Sequence, residues 1–202
     1  MSKHIDFIVS SWGFTGWQFD IIASLIFVVI SMTMVVVIGS FVNYLEQLQM
    51  RGLSKFIGDR GAEFICNRLL FPGTVVHELS HAFFATISGA KVTKIRCFTL
   101  FSKDTLGYVE FGTRGGALKR SFQLSFTSCA PTVMGCVWIF VILKVLRMPD
   151  LNFASQAGLV YLLISIADHM SMSSVDVKNY IKGGILLFFV FFVFCVGFHH
   201  FL

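Results

Sequence analysis

From Ile21 to Leu45 the chain runs for 25 residues without an Asp, Glu, Lys or Arg. A helix needs roughly 20 apolar residues to cross the hydrocarbon core of a bilayer, so this stretch is long enough to span one. Ser121–Leu143 and Gly183–Leu202 are also free of charge, and Leu151–Ala167 is a shorter apolar run. Leu69–Gly89 is apolar too, but it holds Pro72-Gly73 near its start and His77, Glu78 and His81 further on. Proline is tolerated in the first turn of a helix, and Gly89, followed by Lys91, suits a helix end. Five apolar segments in 202 residues, with a mean hydropathy of +0.78, leave too little polar surface for a soluble domain. The expected fold is a single domain over residues 1–202: an all-α polytopic membrane protein with about five transmembrane helices.

The polar segments between these runs are short. Met1–Asp20 carries Trp12, Phe14 and Trp17, aromatics suited to the membrane interface. Glu46–Arg68, broken by Gly52, Gly58 and Gly61, reads as a loop with a short helical piece. Lys91–Arg120 is the longest polar segment. Val92–Leu100 and Thr105–Gly112 flank Ser102-Lys103-Asp104, a pattern that predicts a small β-hairpin after the second span. Pro131, in the small-residue patch Ser128–Pro131, lies inside the third span, where close helix contact is expected.

The net charge of +5 would raise the question of nucleic acid in a soluble protein. Here basic loops are explained by topology and by anionic headgroups, and no basic–aromatic motif points to nucleic acid. Five spans place ten Lys and Arg on the side holding the N-terminus, Lys91–Arg120 and Asp168–Lys182, against six on the other. The first side is therefore expected in the cytoplasm, and the compact chain suits a bacterial cytoplasmic membrane. The first apolar run is too long for the core of a signal peptide and is expected to be retained. The five Cys show no CxxC and mostly fall in or beside apolar runs, so neither a disulfide framework nor a cysteine zinc site is expected.

Ionisable groups at membrane depth are costly and usually functional. His77-Glu78-Leu79-Ser80-His81 is an HExxH motif inside such a run. On a helix its two histidines lie on one face, where both can reach one Zn2+, and Glu78 is placed as a general base. A catalytic zinc normally takes three protein ligands and water. His4, His199 and His200 are terminal and suit the interface better. Asp168, His169 and Asp176 gather at the end of the fourth apolar run and are the better candidates for the third ligand.

Pro72 to Asp176 resembles the site-2 protease family of intramembrane zinc metalloproteases, as a minimal member without a PDZ domain. In that family the HExxH lies on a transmembrane helix, and a later helix supplies an Asp from a Leu-Asp-Gly motif. Val175-Asp176-Val177 would match that motif, and Asp168 stands eight residues earlier, where the family carries Asn. Ser171 and Ser174 replace prolines, and Val177 replaces the glycine. Cys129-Ala130-Pro131 is similar to the family's Ala-Gly-Pro in the intervening span. The resemblance implies zinc held by His77, His81 and Asp176, with Glu78 catalytic. It also implies a substrate that is a transmembrane segment of another membrane protein. Asp168 or His169 could replace Asp176 or assist it, and Ser171–Asp176 must bend to bring Asp176 to the metal. A different class, a membrane protein that handles metal ions or protons, or a degenerate protease acting as a scaffold, would also use intramembrane His and carboxylates.

Overall fold

The computed structural model describes residues 16–99 and 106–201. Trp12, Phe14, His4 and the Ser102–Asp104 turn lie outside the described residues, as do the side chains of His199 and His200. In chain order the elements are α1 (Trp17–Glu63), a π-helical segment (Phe64–Leu69), α2 (Phe71–Ile87), β1 (Lys91–Arg96), β2 (Tyr108–Gly112), α3 (Ala117–Ser128), α4 (Ala130–Val145), α5 (Phe153–Asp168) and α6 (Ser174–Phe201). The described chain is mostly helical, with one antiparallel two-stranded sheet.

The expected loop from Glu46 to Arg68 is instead helical. Leu48, Gln49, Met50 and Arg51 favour helix, and Gly52 alone disfavours it by only about 1 kcal/mol. The helix kinks at Gly58, whose φ of 75° and ψ of 164° are open only to glycine. The third expected span is also not one straight helix: α3 and α4 meet at Cys129 and bend by 46°. Trp17–Leu69 and Ser174–Gly197 are each long and apolar enough to cross a membrane, and the bent α3–α4 pair makes up to three such spans. The α5 helix is apolar but shorter.

The α2 helix touches α3, α4, α5 and both strands. Pro72 occupies its first turn, where the missing N–H has no helical partner to lose. Its end is set by Gly89, with φ 79°. There the N–H groups of Gly89 and Ala90 donate to the carbonyls of Thr86 and Ala85, the glycine-capped ending expected of this sequence. At the other end, Ser165 on α5 donates through Oγ to Leu70 O (2.6 Å) and accepts from Gly73 N (2.7 Å). A Cβ on Gly73 would overlap the Ser165 carbonyl oxygen, so this crossing depends on the glycine. Gly183 also brings α6 close to α3, where a Cβ would sit 2.5 Å from Ser121 O.

The hairpin pairs Lys91 with Gly112 and Arg96 with Tyr108, with a bulge between Val92 and Lys94. Gln123 of α3, wholly buried, accepts from Arg114 N and donates to Ser88 O, joining the hairpin's exit to the end of α2. Many polar side chains lie inside and many large apolar ones outside. Glu78, His81, Gln123, Thr127, Ser165 and Asp176 are buried, while Phe140 is 63% exposed and Val193 69%. Water would not favour such an outer surface, and lipid does.

Candidate metal centre

His77 and His81 lie one turn apart on α2, with ring centroids 4.9 Å apart. Asp176 comes from the first turn of α6. One ligand atom from each of the three falls within 4.8 Å of the others, the sole such group of His, Cys, Asp or Glu among the described residues. The Nε2 atoms of His77 and His81 are 3.2 Å apart, and His81 Nε2 is 3.5 Å from Asp176 Oδ1.

Each imidazole is oriented through its other nitrogen. His77 Nδ1 donates to His169 O at 2.7 Å, and His81 Nδ1 donates to Thr127 O at 2.8 Å. A carbonyl only accepts, so each ring carries a proton on Nδ1 and turns its Nε2 inward. Two Nε2 atoms and a carboxylate oxygen then converge, an arrangement that a bound cation or a proton on one Nε2 would satisfy. A tetrahedral zinc with ligands at about 2.0–2.2 Å would separate its donor atoms by roughly 3.3–3.5 Å. The separations of 3.2 and 3.5 Å lie close to that range, the whole set lies within 4.8 Å, and two imidazoles and a carboxylate are a donor set that zinc takes.

The backbone partners exist because helices are broken nearby. In an unbroken helix, Thr127 O would accept from the N–H four residues on. That residue is Pro131, which has none, so a lone pair remains for His81. Similarly, His169 O and Ser173 N would bond each other if α5 continued into α6. Here the carbonyl accepts from His77, and Ser173 N donates to Asp176 Oδ2 at 3.0 Å. Ser173 Oγ also donates to Asp176 Oδ2 (2.6 Å) and accepts from Asp176 N (3.1 Å). This is a capping box at the start of α6, and it leaves Oδ1 facing His81.

Glu78 is buried beside the histidines under the hairpin. A Cβ on Gly107 would lie 2.8 Å from Glu78 Cγ and from Cys97 O. Thr99 N donates to Leu106 O there, closing the hairpin over the motif.

Asp168 and the His169 ring do not join the group. His169 Nδ1 donates to Ser165 O at 3.0 Å and stands 3.7 Å from Asp168 Oδ2. Of His169, it is the carbonyl that serves the site. Ser173 was not among the expected site residues, although Ser173-x-x-Asp176 carries the capping-box pattern. Comparison with protein-family models, with curated proteins and with solved structures found no match for this chain.

Proposed function

We propose that this chain is an intramembrane zinc metalloprotease that hydrolyses a peptide bond in or near a transmembrane segment of another membrane protein. One observation carries the reading: ligand atoms of His77, His81 and Asp176 gather within 4.8 Å of one another while a backbone carbonyl holds each histidine through Nδ1 and turns its Nε2 inward. His77, His81 and Asp176 hold the zinc, and Glu78 is the general base. All five apolar segments lie in the bilayer, the α3–α4 pair as one bent span. The short α2 and α5 helices are shielded by their neighbours rather than crossing alone.

Zinc, when bound, polarises the scissile carbonyl and acidifies water. Glu78, directly after His77 on the same helix, takes the proton of the attacking water and returns it to the leaving amine. Ser173 and the two backbone carbonyls keep the ligands in place while charge develops. The polar residues around the site keep water near a bond that would otherwise lie in lipid. A substrate helix must unwind before its backbone is open to attack. The edge of β1 not paired with β2 is suited to hold it extended by strand addition.

The discriminating variant is Glu78→Gln. A metal-transport site needs ligands but no base beside them. The substitution is expected to leave zinc stoichiometry unchanged and to lower cleavage by about 10²-fold or more, the usual contribution of a general base. Mapping new N-termini in membranes that express either form is the test. Termini inside apolar segments should appear with the wild type and disappear with Glu78→Gln. Wild-type protein that carries no zinc, or termini that persist in the variant, would refute the assignment.

A further inference from the structure

The proposed metal ligands depend on a break between α5 and α6, and the capping box at Ser173 is the one local signal for it. Residues 169–173 contain no proline and no glycine. At membrane depth, backbone groups left outside a helix must find other partners, so an apolar environment favours winding such a segment into continuous helix. Winding it here would return His169 O to Ser173 N and release both His77 and Asp176 from their backbone partners.

Two contacts from α1 oppose this. Ser171, in the middle of the segment, donates through Oγ to Glu46 Oε2 at 2.7 Å. Met172, 1% exposed, packs against Gly39, where a Cβ would approach its Cγ and Sδ to 2.9 Å. Gly39 and Glu46 are seven residues apart, two turns along one face of α1. A third contact, from Thr132 Oγ1 to Met170 O at 2.9 Å, holds the segment from α4. The Glu46 contact differs from the others in kind. It brings a carboxylate into the interior, and its second oxygen, Oε1, is buried without a partner. A buried polar atom left in that state is unfavourable, which argues that the hydrogen bond made by the first oxygen serves a purpose.

We propose that Glu46 is a positioning residue: by holding Ser171 it keeps the α5–α6 break open, and so keeps His77 and Asp176 set for the metal. The proposal rests on the zinc reading above but not on proteolysis. It is tested by zinc affinity, measured by chelator competition on the full chain in detergent. Glu46→Ala and Ser171→Ala remove the same bond from its two ends. Each is expected to weaken zinc binding about tenfold, the lower end of the effect of losing a residue that supports a ligand. The double variant should be no weaker than either single one, because only one interaction is lost. Glu46→Gln, which keeps an acceptor for Ser171, should restore wild-type affinity. A loss of thermal stability in the zinc-free variants with zinc affinity left at the wild-type value would mean that Glu46 only supports the fold and would overturn the proposal. Should Glu46→Ala fail to fold, Ser171→Ala alone carries the test. Wild-type affinity in Ser171→Ala, additive losses in the double variant, or a Glu46→Gln as weak as Glu46→Ala would each overturn the proposal. Wild-type protein that binds no zinc would instead remove the reading on which it rests.

Discussion

Replacing Ser173 by Ala separates support of the metal ligand from the ligand itself. In the native chain Asp176 Oδ2 receives two hydrogen bonds, from Ser173 Oγ and Ser173 N, and Ser173 Oγ in turn accepts from Asp176 N. Ser173→Ala removes both bonds of the hydroxyl and leaves the backbone one. A hydrogen bond to a charged group contributes roughly 1.5–3 kcal/mol, and loss of a serine N-cap costs about 1 kcal/mol of helix stability. The cap term weakens α6 with or without metal, so it belongs to global stability. The carboxylate term falls mainly on the metal complex, where Oδ1 must stay aimed while Oδ2 is held. The expected result is zinc bound some 10–100-fold more weakly, at unchanged stoichiometry when zinc is saturating. Competition with a chromophoric chelator in detergent reads this directly, and circular dichroism checks that helix content is kept. Ser173→Thr preserves the hydroxyl and should recover the affinity. An unchanged zinc affinity in a folded Ser173→Ala protein would refute the claim that the capping box orients the ligand.

Other outcomes follow from the same geometry. Asp176→Ala should abolish stoichiometric zinc, while Asp168→Asn should retain it, since Asp168 faces His169 and not the ligand group; elemental analysis of the purified variants decides between them. Gly73→Ala should lower the melting temperature in detergent, because the added methyl meets the Ser165 backbone, which cannot step aside as a side chain can; overpacking of this sort typically costs about 1–3 kcal/mol. A Gly73→Ala protein as stable as wild type would mean that α2 and α5 can separate freely.

Much of the site could be read from residue types. His77, Glu78 and His81 stand at a spacing that means one helix face wherever it occurs, and an apolar setting makes their polarity conspicuous. Asp176 was proposed through a family resemblance and lies beside the two histidines, and its capping pattern with Ser173 was present though unread. What could not be read is what backbone atoms supply. The carbonyls of Thr127 and His169 orient both histidines, yet a carbonyl leaves no trace in residue identity. Pro131 is the one indirect sign, because it withholds the usual donor from Thr127. The continuation of α1 past Glu46 was obscured by its charges and by Gly52, which resemble loop composition but are compatible with an exposed helix. Glu46 itself meets Ser171 across 125 residues of sequence, a contact no local pattern encodes.

The two helix breaks bear on how such a site could arise inside a membrane. Lipid offers no hydrogen bonds, so any polar ligand there needs partners drawn from the protein itself. An interruption of a helix without proline releases a donor and an acceptor that would otherwise have been matched to each other, where a side chain can claim them. The gap at 169–173 supplies one of each, the acceptor to His77 and the donor to Asp176. Pro131 supplies a single acceptor and leaves no donor to satisfy. A Pro131→Ala change would therefore do more than ease the bend between α3 and α4. It would hand the Thr127 carbonyl a further backbone donor, four residues away, and set His81 in competition with the backbone for it.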